Sequence, residues 1–368
     1  MGYSGENKYF SFRDGYCESL PNITIGSAES AEFGRTVSRF FRRFSVGCDG
    51  FRNMHILYAL CCGLSECGHD VYVCENTDLP SFRFGLPLLS ADCGIFVSGD
   101  DCLKISFFNA DGFPVSSGIL TDIMNASPAP TADKCGKITS STSFRNIYIN
   151  NLADTFCGTG YSIPAGISCG NRSVRSLWLE FFSGEDDTLV FQISDDGQRV
   201  NAYSSQAGFI SYEKLILAYS MKLSVKGQAV WLPDNFHYAV DFLGAESPLK
   251  LKRFSPEKYI PTEVSGQRFL TDPLYMCIHL ADNREDFIKT VKSLPQLAAA
   301  KREITIDSVE NIPCGKTILE NDGRVIISRS GRNRVTLLAQ AYSSETAAEL
   351  CSSWSEKLRR IGSHRNAL

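Results

Sequence analysis

Between Phe44 and Val97, short apolar runs alternate with segments long enough to be helices. That alternation restricts the fold more than any other feature of the chain. The runs FSVG (44–47), VYVC (71–74) and CGIFV (93–97) have the length and character of buried strands. The first gap holds Met54 to Glu66, apolar nearly all round, with Asn53 placed to cap its start and Gly68 to close it. A segment led by Pro80, a residue suited to a first helical turn, fills the second gap. Strands separated by helices of this size are joined by crossovers, which make neighbouring strands parallel. The class is therefore α/β.

The loop-rich stretch Asn125 to Ser143 carries Pro128, Pro130 and many small polar residues, and reads as a domain boundary. Beyond it the apolar segments LWLEFF (177–182) and TLVFQIS (188–194) precede a helix from Ser211 to Met221. From Gln228 to Val264 the pattern weakens into short pieces. It recovers in RVIIS (324–328) and VTLLAQAY (335–342), which read as strands flanking a basic turn. Ser343 or Ser344 then opens a helix with Leu350, Trp354, Leu358 and Ile361 on one face, completing a small α+β unit.

Charge and composition remove several classes of function. The 37 basic and 41 acidic side chains give a net charge of −4 with no long run of either sign, unlike a nucleic-acid binder. The longest strongly apolar stretch, Ile56 to Leu64, is about half the length of a bilayer span. The start, MGYSGENKYF, has no cationic region leading into an apolar one, and Glu6 stands where myristoylation wants Ser or Thr. A soluble, cytoplasmic protein without membrane or nucleic-acid partners is expected. On that expectation the sequons at Asn22, Asn125 and Asn171 carry no meaning. None of the 14 cysteines forms a C-x-x-C pair. Cys61, Cys62, Cys74, Cys93 and Cys277 lie in apolar runs and read as small reduced hydrophobes.

Five stretches, in order, resemble the functional segments of the α-D-phosphohexomutases, the family of phosphoglucomutases, phosphomannomutases and phosphoglucosamine mutases. FSVGCDGFRNMHILYALCCGLSECGHDVYVCENTDLPSF is similar to the family's first α/β unit, and CGIFVSGDDCLKISFFNADGF to the segment around its phosphoserine. FQISDDGQRV resembles its D-G-D-x-D-R metal loop, PTEVSGQ its G-E-x-S-G-H sugar loop, and ISRSGRNRV its R-P-S-G-T-E-P phosphate loop. The resemblance implies a multi-domain α/β protein with mixed sheets. Domain 1 would span residues 1–135, domain 2 136–225, domain 3 226–300 and a C-terminal α+β domain 301–368. The span from Gln228 to Thr262 is short for the family's third domain, so that domain is expected to be reduced.

The family's reaction moves a phosphoryl group between an enzyme serine and a sugar phosphate, with Mg²⁺ bridging phosphate oxygens. Aligned with the family, Ser98 matches its first serine, and Asp100 falls at the phosphoserine position. The His-Asn-Pro that should follow has no counterpart, and the loop is shorter. Ser194, Asp196 and Gln198 occupy the three metal-aspartate positions, with Asp195 at a glycine position. One carboxylate, a hydroxyl and an amide carry too little charge for Mg²⁺, so no cofactor is expected. Arg199 is retained, and without a cation it is expected to pair with Asp196 or Asp100. Gly47-Cys48-Asp49 stands where the family has G-R-D. Ser106 replaces a lysine, with Lys104 two residues earlier, and Asp111-Gly112 reads as a turn.

The ligand-binding loops are better kept. Glu263, Ser265 and Gly266 fit the sugar loop, with Gln267 in place of His or Gly. Ser330 and Gly331 persist in the phosphate loop, and Arg329, Arg332 and Arg334 around them read as an anion site or a basic hairpin tip. The reading that follows is a phosphohexomutase-like protein without phosphoryl transfer, binding a sugar phosphate or a protein partner such as an active paralogue. The alternative is a live mutase in which Ser98 or Asp100 carries the phosphate and Asp195 with Asp196 holds Mg²⁺. A module whose cleft binds nothing is the third.

Overall fold

The protein is seen in a computed structural model. It describes residues 11–13, 16–21, 25–50, 53–99, 102–141, 144–156, 162–241, 250–255, 262–307, 309, 312–315, 317–320, 323–329 and 333–363. The chain divides into two compact units, Met1–Phe209 with Arg268–Asp282, and Ile210–Gln267 with Asn283–Leu368.

In the first unit, β1 (Ser11–Arg13), β2 (Tyr16–Ser19), α1 (Ser27–Val37), β3 (Phe44–Cys48), α2 (Met54–Glu66), β4 (Val71–Cys74) and α3 (Leu79–Leu88) follow one another. After them come β5 (Cys93–Ser98), β6 (Leu103–Asn109), α4 (Ser117–Asn125), β7 (Ile138–Ser140) and α5 (Arg145–Thr155). The strands form one sheet in the order β1-β2-β6-β5-β3-β4-β7. As the α/β pattern requires, β3 runs parallel to β4 and β5, and β4 to β7, whereas β6 returns antiparallel along β5. One face is buried under α1 and α2, where Phe33, Leu57, Leu60 and Leu64 meet Val46, Ile95 and Val97. The other is covered by α3 through Phe82 and Leu86, packed on Phe96 and Phe108. Alternation along β5 thus gives its two sets of side chains separate cores.

A second sheet is built from β8 (Ile163–Ser168), β9 (Phe182–Gly184), β10 (Leu189–Ile193), β11 (Val200–Ser204) and β12 (Gly208–Ile210), with α6 (Arg172–Trp178) between β8 and β9. Its order is β12-β11-β10-β8-β9. The run LWLEFF is split, because its first residues end α6 while Phe182 begins β9. Trp178, Phe182 and Phe191 form the aromatic core beneath, with ring centroids 5.3–5.8 Å apart. Arg145 on α5 ties this layer to the first. It meets the buried carboxylate of Asp78, the N-cap of α3, at 3.0 Å, and donates to Ser173 O and Ser176 Oγ of α6.

The second unit begins with α7, which runs Tyr212–Val225, a turn beyond the expected Met221. Where the sequence pattern weakens, β13 (Val230–Pro233) and β14 (Leu251–Phe254) pair in parallel as a two-stranded sheet, followed by the short α8 (Thr262–Ser265). A 3-10 turn at Arg268–Leu270 and α9 (Pro273–Ala281) belong to the first unit. They are fixed there by Arg268, which donates to Asp272 (2.7 Å) and Asn151 (2.5 Å), and by Tyr148, which donates to Asp272 (2.6 Å). After α10 (Arg284–Ser293), β15 (Ala298–Thr305), β16 (Thr317–Glu320), β17 (Gly323–Arg329) and β18 (Arg334–Ala341) make an antiparallel sheet in the order β15-β18-β17-β16. The terminal helix α11 (Ser344–Ser363) buries Leu350 and Leu358 on Val325, Ile327, Val335 and Leu337, with Trp354 and Ile361 at the margin. This is the face its 4-4-3 apolar spacing predicts.

Candidate functional site

The segment resembling the phosphoserine loop starts at the end of β5. Ser98 is the last residue of that strand and pairs in register with Lys104 of β6. Gly99 sits at φ +87°, and a Cβ there would lie 2.1 Å from the Cys102 carbonyl, so only glycine fits at that position. Ser98 therefore belongs to a strand ladder rather than to a free loop. Asp100 lies outside the described residues. Asn53 makes no side-chain cap for α2, contrary to expectation. Its buried amide instead donates to the Gly99 carbonyl at 2.6 Å and ties the end of β5 to the start of the helix.

Lys104 lies on the same sheet face as Ser98 and Ser106, with its ammonium 5.2 Å from the Tyr16 ring centroid. Cys48, at the position of the family's arginine, is buried, and its thiol donates to Gly50 O. Burial pushes its pKa up, as it does for Cys17, which is raised to about 12, so neither is a thiolate at neutral pH. Cys61, Cys74, Cys93 and Cys277 are buried as expected of small hydrophobes. Cys62 is exposed, because it falls on the solvent face of α2 with His55 and Tyr58.

The segment resembling the metal loop joins β10 to β11. Its tip is a turn closed by Gly197 N–H donating to Ser194 O at 2.8 Å, with Gly197 at φ +70°. Asp196 Oδ1 accepts from Ser194 Oγ (2.5 Å) and from Gln198 N–H (3.0 Å), and Ser194 Oγ in turn accepts from Arg199 N–H (3.0 Å). The carboxylate is thus turned into its own loop, as an Asx-type cap of the turn. Asp195 Oδ1 accepts from Asn171 N–H at 3.1 Å, at the start of α6. Arg199 is exposed and forms no ion pair with Asp196, whose acceptor is already engaged by neutral donors of the loop. Gly197 itself is buried against Pro80 of α3 and Val174 of α6.

The Mg²⁺ of the family does not fit this donor set. Ser194, Asp196 and Gln198 offer one carboxylate, and among the described residues no three His, Cys, Asp or Glu side chains converge as ligands.

In the second unit the segment resembling the sugar loop is α8 and the residues after it. Val264 is fully buried and anchors it, Glu263 is exposed, and the side chain of Ser265 lies outside the described set. Gln267 has a role that the sequence does not announce. Its Oε1 accepts from Trp231 N–H and its Nε2 donates to Ala229 O, both at 3.0 Å. The side-chain amide thereby does for the free edge of β13 what a neighbouring strand would do.

The basic turn joins β17 to β18. Ser330, Gly331 and Arg332 lie outside the described residues. Arg329 pairs with Val335 and shares the α11-facing side of the sheet with Val325 and Ile327. Arg334 pairs with Thr305 and starts the opposite side. The arginines flanking the turn thus leave it on opposite faces, a consequence of strand alternation that counting charges overlooks.

The fold is that of the α-D-phosphohexomutases. Three solved structures with that fold match over nearly their whole length. A phosphoglucomutase/phosphomannomutase family protein from Burkholderia thailandensis has a TM-score of 0.66 at 13% identity, covering 96% of this chain and 98% of that one. Aspergillus fumigatus N-acetylphosphoglucosamine mutase in complex with GlcNAc-6P and magnesium has 0.54 at 10%, covering 98% and 97%. An N-acetylglucosamine-phosphate mutase of the alpha-D-phosphohexomutase superfamily has 0.50 at 9%, covering 95% and 96%. No family model and no curated protein matches the sequence. At these identities the likeness establishes the fold. Among the described residues no helix is long and apolar enough to cross a membrane.

Proposed function

We propose that this chain is a phosphohexomutase-fold protein that binds a hexose phosphate without transferring its phosphoryl group. The carrying observation is the metal-loop hairpin, whose carboxylate at the family's ligand positions caps its own turn. Such a loop has no preformed cradle for Mg²⁺, and phosphoryl transfer of this class relies on the cation to stabilise the moving charge. The pairing of Ser98 with Lys104 in a strand ladder supports the same reading, since Ser98 would have to leave that ladder to carry a phosphate. The domain boundaries near residues 135, 225 and 300 and a cytoplasmic location belong to this reading.

In this reading the sugar hydroxyls are met by Glu263 and Ser265, and the phosphate is drawn to the basic hairpin carrying Arg329, Ser330, Gly331, Arg332 and Arg334. The alternative, a live mutase through Ser98 or Asp100, needs Asp196 to leave both of its donors and turn outward with Asp195. Calorimetric titration with glucose 6-phosphate tests the proposal. Binding is expected, and it should be equally tight in EDTA and in millimolar Mg²⁺. Absence of binding, or binding that requires Mg²⁺, would contradict it.

A further inference from the structure

The loop-rich stretch between α4 and β7 is no free linker. Residues 131–135 are all exposed, yet the chain runs as a strap across the C-terminal ends of α1 and α2. Ala129 N–H donates to Arg35 O (3.0 Å), Ala132 N–H to Glu66 O (2.8 Å) and Lys137 N–H to Asp70 Oδ1 (2.8 Å). Ser65 holds the strap twice. Its Oγ donates to Gly136 O at 2.8 Å, and its carbonyl accepts from Gly136 N–H at 2.9 Å. The strap thus takes up carbonyls that a helix leaves unpaired at its end.

One of these carbonyls brings two cysteines together. Ser65 O accepts from Gly68 N–H (2.8 Å) as well as from Gly136 N–H (2.9 Å), and the residues preceding those two glycines are Cys67 and Cys135. In a trans peptide the preceding Cα lies about 2.4 Å from the amide nitrogen, on the side of its hydrogen. Each cysteine Cα therefore stands about 3.6 Å from the shared oxygen, and the two within about 7 Å of each other. A disulfide spans Cα separations of about 4.4–6.8 Å. Cys67, the C-cap of α2, is half-buried, and Cys135 is exposed. Among the described residues neither thiol has a hydrogen-bond partner.

We infer that Cys67 and Cys135 form a reversible disulfide that locks the strap onto the end of α2. The exposed Cys135 thiolate attacks a low-molecular-weight disulfide, forming a mixed disulfide and displacing one thiol. The Cys67 thiolate then attacks the Cys135 sulfur and displaces the second. Two electrons and, in net, two protons pass to the oxidant, which leaves as two thiols, and a dithiol reductant runs the exchange backwards. Neither residue is among the groups assigned to the sugar phosphate.

The test incubates the reduced full chain with glutathione disulfide, blocks remaining thiols with N-ethylmaleimide and maps peptides without reductant. A linked Cys67–Cys135 pair is expected. It should vanish on adding dithiothreitol and in C67S and C135S, and persist in C62S, which removes an exposed thiol on the same helix. Lys134 in the strap is exposed, so trypsin cleavage after it should slow by about tenfold in the bridged protein and recover on reduction. Cys135 is exposed, so C135S keeps the test valid if C67S does not fold. Unreacted thiols, a glutathione adduct that stays on Cys135, or a bridge from either residue to another cysteine would overturn the pairing. A Cys67–Cys135 bridge that leaves cleavage unchanged would overturn the lock.

Discussion

Gly197→Ala probes how firmly the metal-loop hairpin is held. Gly197 has φ +70°, and an L residue in that left-handed region costs about 1–2 kcal/mol. Its added methyl would lie 2.8 Å from Pro80 Cγ and 3.2 Å from Val174 Cγ1. The proline ring cannot rotate away, because it is fixed in the first turn of α3, so overpacking adds about 1–3 kcal/mol. Together the cost is about 2–5 kcal/mol, read as a shift in urea midpoint at constant slope. The two parts can be separated. Pro80→Ala removes the ring that the methyl strikes, so in the P80A background the same glycine change should retain only its backbone share. A double-mutant cycle should then give a coupling above about 1 kcal/mol. G197A within about 0.5 kcal/mol of the parent would refute the argument, and so would an additive cycle, since either result means that the tip moves freely away from α3.

Other expectations follow from the same network and from the second unit. Asp196→Ala should lower stability by about 1–2 kcal/mol through loss of the acceptor for Ser194 Oγ and Gln198 N–H. Asp196→Asn, which keeps that acceptor, should cost less than half as much in the same denaturation assay. Arg145→Met strands the Asp78 carboxylate, whose side chain is 1% exposed, and should cost about 3 kcal/mol in urea unfolding. His237 has Nε2 3.1 Å from the carbonyls of both Ala298 and Ala341, and its Nδ1 accepts from Ala239 N–H. Burial, and then the Arg324 charge, lower its pKa below 6.5. The unfolded chain therefore takes up the proton first. The contribution of His237 is full above about pH 6.5 and is lost as pH falls towards the lowered folded value. Thermal melts across that window should show the slope, and H237Q should flatten it.

The strands at 44–48, 71–74 and 93–98 and the helix Met54–Glu66 could be read directly, because buried parallel strands and a buried helix leave runs that solvent exposure cannot interrupt. The segment from 228 to 264 could not. Its two strands have four residues each and are held by side-chain bonds that periodicity does not report: Gln267 on the β13 edge, and Arg253 of β14 on the carbonyls of Pro233, Phe236 and His237.

At the site, the loss of ligand charge was visible in Ser194 and Gln198. The inward turn of Asp196 was not, since it depends on where Ser194 and Gln198 direct their donors. The expected pairing of Arg199 with Asp196 failed for the same reason. Asn53 was legible as a helix-start residue but not as the tether of Gly99, a contact made across 46 positions of sequence. The splitting of Arg329 and Arg334 between two faces needed the hairpin register.

The most direct measurement is phosphorus NMR of glucose 1-phosphate with the purified protein, Mg²⁺ and a priming hexose 1,6-bisphosphate. The account predicts no 6-phosphate resonance above a boiled control after prolonged incubation, with substrate lines broadened or shifted by binding. A 6-phosphate signal that grows with time and protein concentration would contradict it, and would mean that Asp196 leaves its turn to serve a working mutase.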